Sequence, residues 1–160
     1  MKKILMILCI FALGACGFRP MFSGGDTDIY VAPIRGINGI ELRNALNAKF
    51  GGARTSDAEY TLTIDLAEPY TQYKALESTG DATWQEVGLR ANYTLRRGDT
   101  EIAHGVEQAS ESYTFVRYLV AANASYNNAV RNAIMVLADK ISTRTIAETS
   151  RAQSQSSGQK

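Results

Sequence analysis

The sequence predicts an α+β fold, a two-layer sandwich with two helices on one face of a four-stranded mixed sheet, in the order β-α-β-β-β-α. Three observations carry this. Residues 60–67 and 84–96 alternate apolar and polar side chains, as strands with one wet face do. Residues 39–50 and 123–147 carry apolar side chains at helical spacing along one stripe. Both stripes need an apolar partner, and one sheet face supplies it, so both helices belong on the same side.

The chain opens on an export signal. Lys2 and Lys3 precede an apolar run that ends at Leu13-Gly14-Ala15-Cys16. The run is about ten residues, half of the ~20 that a spanning helix needs. A soluble secreted protein wants small residues one and three positions before the cut, and Leu13 breaks that rule. Leu13-Gly14-Ala15-Cys16 instead resembles the lipobox of bacterial lipoproteins. That resemblance implies cleavage before Cys16, acylation of Cys16 and a membrane anchor through it. Gly17 follows, where an Asp resembles the inner-membrane retention signal, so the resemblance points to the outer membrane.

The domain organisation follows: 1–15 signal, 16–28 lipidated tether, 29–148 one sandwich domain, 149–160 a disordered Ser/Gln-rich tail. Removing 1–15 takes away Lys2 and Lys3 and no acid, so the net charge falls from +1 to −1. A near-neutral chain offers no electrostatic case for nucleic acid. Cys9 leaves with the signal and Cys16 is alkylated, so no thiol remains for a disulfide, a nucleophile or a metal.

Each element has its own reason. Residues 29–34 form a short β-rich run that Pro33 confines to an edge. The helix over 39–50 takes Asn38 as N-cap, with Glu41 reaching back in a capping box, and stops at Gly51-Gly52. Leu62, Ile64 and Leu66 face inward on the next strand, which continues, frayed, through Tyr70 and Tyr73. Residues 78–81 turn the chain. Val87, Leu89, Ala91, Tyr93 and Leu95 then face inward, with Arg90 and Arg96 outward. Arg97-Gly98-Asp99 is a hairpin turn. The returning strand, 101–113, places Ile102, His104 and Val106 inward and bulges near Gln108. Residues 115–122 read as either loop or helix start. Tyr126, Val130, Ala133, Ile134, Leu137 and Ile141 form the stripe of the last helix.

The chemistry-bearing residues are few. His104 is the single histidine and reads as packing rather than catalysis. No nucleophile elbow, metal-ligand spacing or phosphate loop occurs, so the sequence predicts no enzyme, metal or cofactor. Arg90, Arg96 and Arg97 are candidate lipid-binding residues, because guanidinium groups bind phosphate in two places at once. Trp84 and the tyrosines at 70–73 are candidates for a protein interface.

Cys16-Gly17-Phe18-Arg19-Pro20-Met21-Phe22 at a lipobox, followed by strand, helix, three strands and helix, resembles the LptE family of lipopolysaccharide-assembly lipoproteins. The resemblance implies an outer-membrane lipoprotein that plugs and assists assembly of the β-barrel LptD. It also implies contact with lipopolysaccharide and support for its insertion into the outer leaflet, without catalysis. The alternative is an accessory lipoprotein of another envelope lipid-transport system.

Overall fold

The computed structural model describes residues 28–76, 82–114 and 118–157. The signal, the tether with Cys16, the turn at 78–81 and part of 115–122 lie outside the described residues. The elements are β1 (Ile29–Val31), α1 (Ile37–Lys49), β2 (Tyr60–Leu66), β3 (Tyr70–Leu76), β4 (Ala82–Arg97), β5 (Thr100–Thr114) and α2 (Leu119–Ser157).

This is the expected α+β fold, with one mixed sheet and two helices. The sheet has five strands, where the sequence predicts four, laid out in four rows; the stretch through Tyr70 and Tyr73, expected as a frayed continuation of β2, is a strand of its own, β3. β2 and β3 lie end to end along the same side of β4: Leu66 pairs with Ala91, and Tyr70 with Gly88. One residue more is used on the β2–β3 side than on β4. Pro69 has no N–H to donate, so the ladder breaks there and resumes at Tyr70. Before the break, the Ala67 N–H donates to the Arg90 carbonyl at 2.9 Å. β1 runs parallel to β2, and every other pairing is antiparallel. β4 and β5 join through Gly98-Asp99, with Gly98 at φ 56°, the glycine-first position of a tight hairpin turn.

The core lies between the sheet and both helices. Leu62, Leu89 and Leu95 from the sheet, Leu42, Leu46 and Phe50 from α1, and Ile134, Leu137 and Ile141 from α2 are all buried. α2 runs antiparallel to β5, since Tyr113 meets Tyr126 while Glu107 meets Arg144.

Four local expectations are corrected. The α1 N-cap is Gly36 at φ 79°, not Asn38, and no side chain caps it. Glu41 lies instead 3.9 Å from Arg131 of α2, so tertiary pairing replaces the capping box. On β5 the inward positions are Ala103, Gly105, Glu107 and Ala109, by their pairing with Leu95, Tyr93, Ala91 and Leu89. His104 and Val106 therefore face outward and are exposed. The irregularity of β5 falls at Ile102, between the pairs Leu95–Ala103 and Arg96–Glu101, rather than near Gln108. Finally, α2 continues as helix through Ser157, where the sequence suggests a disordered tail from 149. Its polar side chains there are satisfied within the helix itself. Thr149 Oγ1 and Ser150 Oγ donate to the Ile146 carbonyl, Ser154 Oγ donates to the Ser150 carbonyl, and Arg151 pairs with Glu148.

Candidate functional site

The surface that remains is the outer face of the sheet. No described element covers it. Its side chains come from the even positions of β4 and their neighbours: Thr63 and Asp65 of β2, Arg90, Asn92 and Arg96 of β4, Gln108, Ser110 and Ser112 of β5, all exposed. Alternation alone produces this face. Once Leu89, Ala91, Tyr93 and Leu95 are committed inward, Arg90, Asn92, Thr94 and Arg96 must point away.

The three candidate arginines divide. Arg90 and Arg96 share the outer face, six residues apart, which is about 20 Å along a strand. They cannot close on one phosphate together. Arg96 donates to the Asp99 carbonyl at 3.1 Å, while the Arg90 side chain has no ion pair or hydrogen bond among the described residues. Arg97 turns to the helix side. Its guanidinium pairs with Glu59 at 2.7 Å and lies 5.8 Å from the centre of the Tyr60 ring. Lys74 and Glu86 pair at 3.1 Å on the outer face, which makes that stretch locally neutral.

The aromatic candidates gather toward the other end of the sheet. Trp84 is half exposed, and Tyr70 lies across Gly88 on the outer face. Tyr73 is in register with Gln85, a helix-side position, yet stays exposed because it lies beyond the helical cover. Tyr118, Leu119 and Val120, at the start of α2, are exposed at this end too. Arg97 and the start of β1 lie at the opposite end.

Sequence reasoning missed one polar element inside. Glu107 is buried on the helix-facing side of β5, where it forms an ion pair with Arg144 of α2. Only the fold brings these residues together. Beside them, burial pushes the Tyr93 hydroxyl above its ordinary pKa of 10, and Arg144 opposes part of that shift. A 370 Å³ cleft between the start of α1 and residues 67–69 has Arg35 and Glu68 as its only ionisable lining groups, with no pair set for acid–base chemistry.

Residues 27–145 match the model of a known family, described as lipopolysaccharide-assembly, LptE. The chain belongs to the LptE family. The family is one of non-enzymatic envelope lipoproteins that act in lipopolysaccharide assembly. Solved structures share the fold at low identity. A lipoprotein from Caulobacter crescentus matches with a TM-score of 0.65 and 20% identity, over 82% of this chain and 96% of that one. Rare lipoprotein B from Shewanella oneidensis gives 0.59 and 14%, over 79% and 97%. A minor lipoprotein from Acinetobacter baumannii gives 0.56 and 16%, over 77% and 93%. No curated protein matches this chain.

Proposed function

We propose that this LptE-family chain is an outer-membrane lipoprotein, held by acylated Cys16, that plugs the LptD barrel and supports its assembly. In that role it helps lipopolysaccharide pass to the outer leaflet. The open polar face of the sheet is the observation that supports this reading. The interior of a large outer-membrane barrel is polar and water-filled, and a plug for it needs a rigid core with a hydrophilic exterior. Thr63, Asp65, Asn92, Ser110 and Ser112 supply such an exterior without any covering layer. Arg90 and Arg96 add two separated cations to it, each able to meet its own phosphate on a passing lipid. Arg97 contributes little, because Glu59 already occupies it.

The test places a photo-activated cross-linker at Asn92 in the full chain, in cells. The expected product is one adduct with a large outer-membrane barrel, recognised as LptD by its peptides. Adducts only with periplasmic or inner-membrane transport proteins would favour the accessory-lipoprotein reading and overturn the plug.

A further inference from the structure

We infer that two helix-borne cations guard two of the open edges of this sheet, those of β1 and β5, and that one of them, Lys140, keeps the chain from pairing edge to edge with a second copy of itself. An edge strand presents unpaired N–H and C=O groups to any other strand. β1 is three residues long and β3 seven, each paired on one side only, but β5 is fifteen residues long and pairs on one side only. It is by far the largest exposure.

The direction of the backbone groups on both edges follows from the hydrogen bonds. In a strand, the N–H and C=O of one residue point to the same side, and successive residues alternate. The Arg90 carbonyl accepts from Ala67, so Arg90 turns its backbone toward the β2–β3 row and away from β5. Its partner across the β4–β5 ladder is Gln108. Gln108 therefore turns its N–H and C=O to the free edge, as do His104, Val106, Ser110 and Ser112. Lys140 Nζ of α2 donates to that Gln108 carbonyl at 2.7 Å. On the other edge, Tyr60 N–H donates to the Asp28 carbonyl and Ala32 N–H to the Leu62 carbonyl. Even-numbered residues of β1 thus face β2, and Val31 faces outward. Arg43 Nε of α1 donates to the Val31 carbonyl at 2.9 Å. The same device stands on the β1 and β5 edges: a helix cation fills an acceptor that an incoming strand would need.

A second copy is the occupant the edge best fits. From His104 to Ser112, the outer-face side chains of β5 are His, Val, Gln, Ser and Ser, with no acid or lysine to repel a twin. An antiparallel pair about a two-fold axis at Gln108 sets Val106 against Ser110 and Glu107 against Ala109, so no two glutamates oppose each other. The Gln108 carbonyl lies at the centre of that pairing, and it is the carbonyl Lys140 holds.

The experiment compares the full chain with its Lys140→Ala and Lys140→Arg variants in detergent, by sedimentation over a range of concentrations. Each copy must give up one hydrogen bond on pairing, so Lys140→Ala should dimerise at a concentration lower by about tenfold or more. Lys140→Arg keeps a cationic donor and should match the wild type. Hydrogen exchange supplies the second reading: in the Lys140→Ala dimer, residues 104–112 should gain amide protection. Unchanged dimerisation of Lys140→Ala, an arginine variant that behaves like alanine, or a dimer without protection in 104–112 would each overturn the guard.

Discussion

The two faces of the sheet each carry the same small motif, a tyrosine lying across a glycine on the neighbouring strand. On the helix side Tyr93 covers Gly105; on the outer side Tyr70 covers Gly88. A ring laid on a strand glycine replaces the packing that the missing side chain would give. The surroundings separate the two. Tyr93 is 5% exposed and lies beside Arg144 and Glu107, whereas Tyr70 is 43% exposed. One ring is part of the core and cannot move; the other is a flap on an open surface. The comparison shows which face holds the fold together and which is free for other work.

The largest expected break is on the helix side. Leu137 is fully buried in the α2 stripe. Leu137→Asp leaves a carboxylate in the core without a partner, at a cost of several kcal/mol, comparable to the ~5–15 kcal/mol that a whole domain has. The folded signal in circular dichroism should be lost at room temperature.

The glycine pair sharpens the contrast. A Cβ at Gly105 lies 2.8 Å from the Tyr93 hydroxyl oxygen and 2.9 Å from its ring. With that ring held under α2, Gly105→Ala should cost about 1–3 kcal/mol, read as a lowered denaturation midpoint. A Cβ at Gly88 meets Tyr70 still more closely, at 2.2 Å. Tyr70 can swing into solvent, so Gly88→Ala should change stability by less than about 1 kcal/mol. The shorter contact should thus give the smaller effect, and the reverse order in urea titrations would show that Tyr70 is held as firmly as Tyr93.

Alkaline pH tests the same asymmetry. Burial raises the pKa of Tyr93 above 10 in the folded state. The folded protein then holds this proton more tightly than the unfolded chain does, so the contribution is intact below pH 10 and is lost as pH rises through the folded value. Tyr93→Phe should weaken the fall in melting temperature above pH 10. Tyr60 and Tyr113 are raised by burial as well, so part of the fall should remain.

The smallest effect on stability belongs to the outer face. Arg90→Glu with Arg96→Glu should leave the melting temperature nearly unchanged, because both side chains are exposed. It should weaken lipopolysaccharide binding, and the difference from wild type should shrink with added salt, since exposed charges are screened over about 8 Å at physiological ionic strength. Equal binding by both proteins at low salt would return the pair to plain surface.

Where the sequence could be read, one strand had a face of uniform character. β4 shows that in Val87, Leu89, Ala91, Tyr93 and Leu95, all buried, and the outward Arg90 and Arg96 follow from them. β5 misleads because its buried side carries Ala103, Gly105, Glu107 and Ala109, while Val106 looks outward. α2 lies over that side, and small residues let it do so, so the larger apolar residue sits on the wet face. Glu107 reads as solvent-facing until Arg144, far along the chain, arrives beside it. The end of α2 was hidden for a related reason. Ser142, Thr145 and Thr149 are buried, and each satisfies its hydroxyl on a carbonyl of its own helix, so polar letters occupy core positions. The candidate arginines were legible by phase, Arg97 included: next to Arg96 on β4, it falls on the opposite face, where only the fold brings Glu59 to it.

β4 also acts as a ruler. Its 16 residues run without a break from the Trp84 end to the end where β1 begins, about 50 Å at strand rise. A bilayer with its headgroups measures about 40–45 Å. The strand thus sets Trp84 and the start of β1 apart by slightly more than that thickness, with Tyr118 and Leu119 at the Trp84 end. The span is set by the number of residues in one strand, so adding or removing two residues in both β4 and β5 at the Trp84 end, away from the Gly98-Asp99 turn, would move that tip by about 7 Å without altering either face.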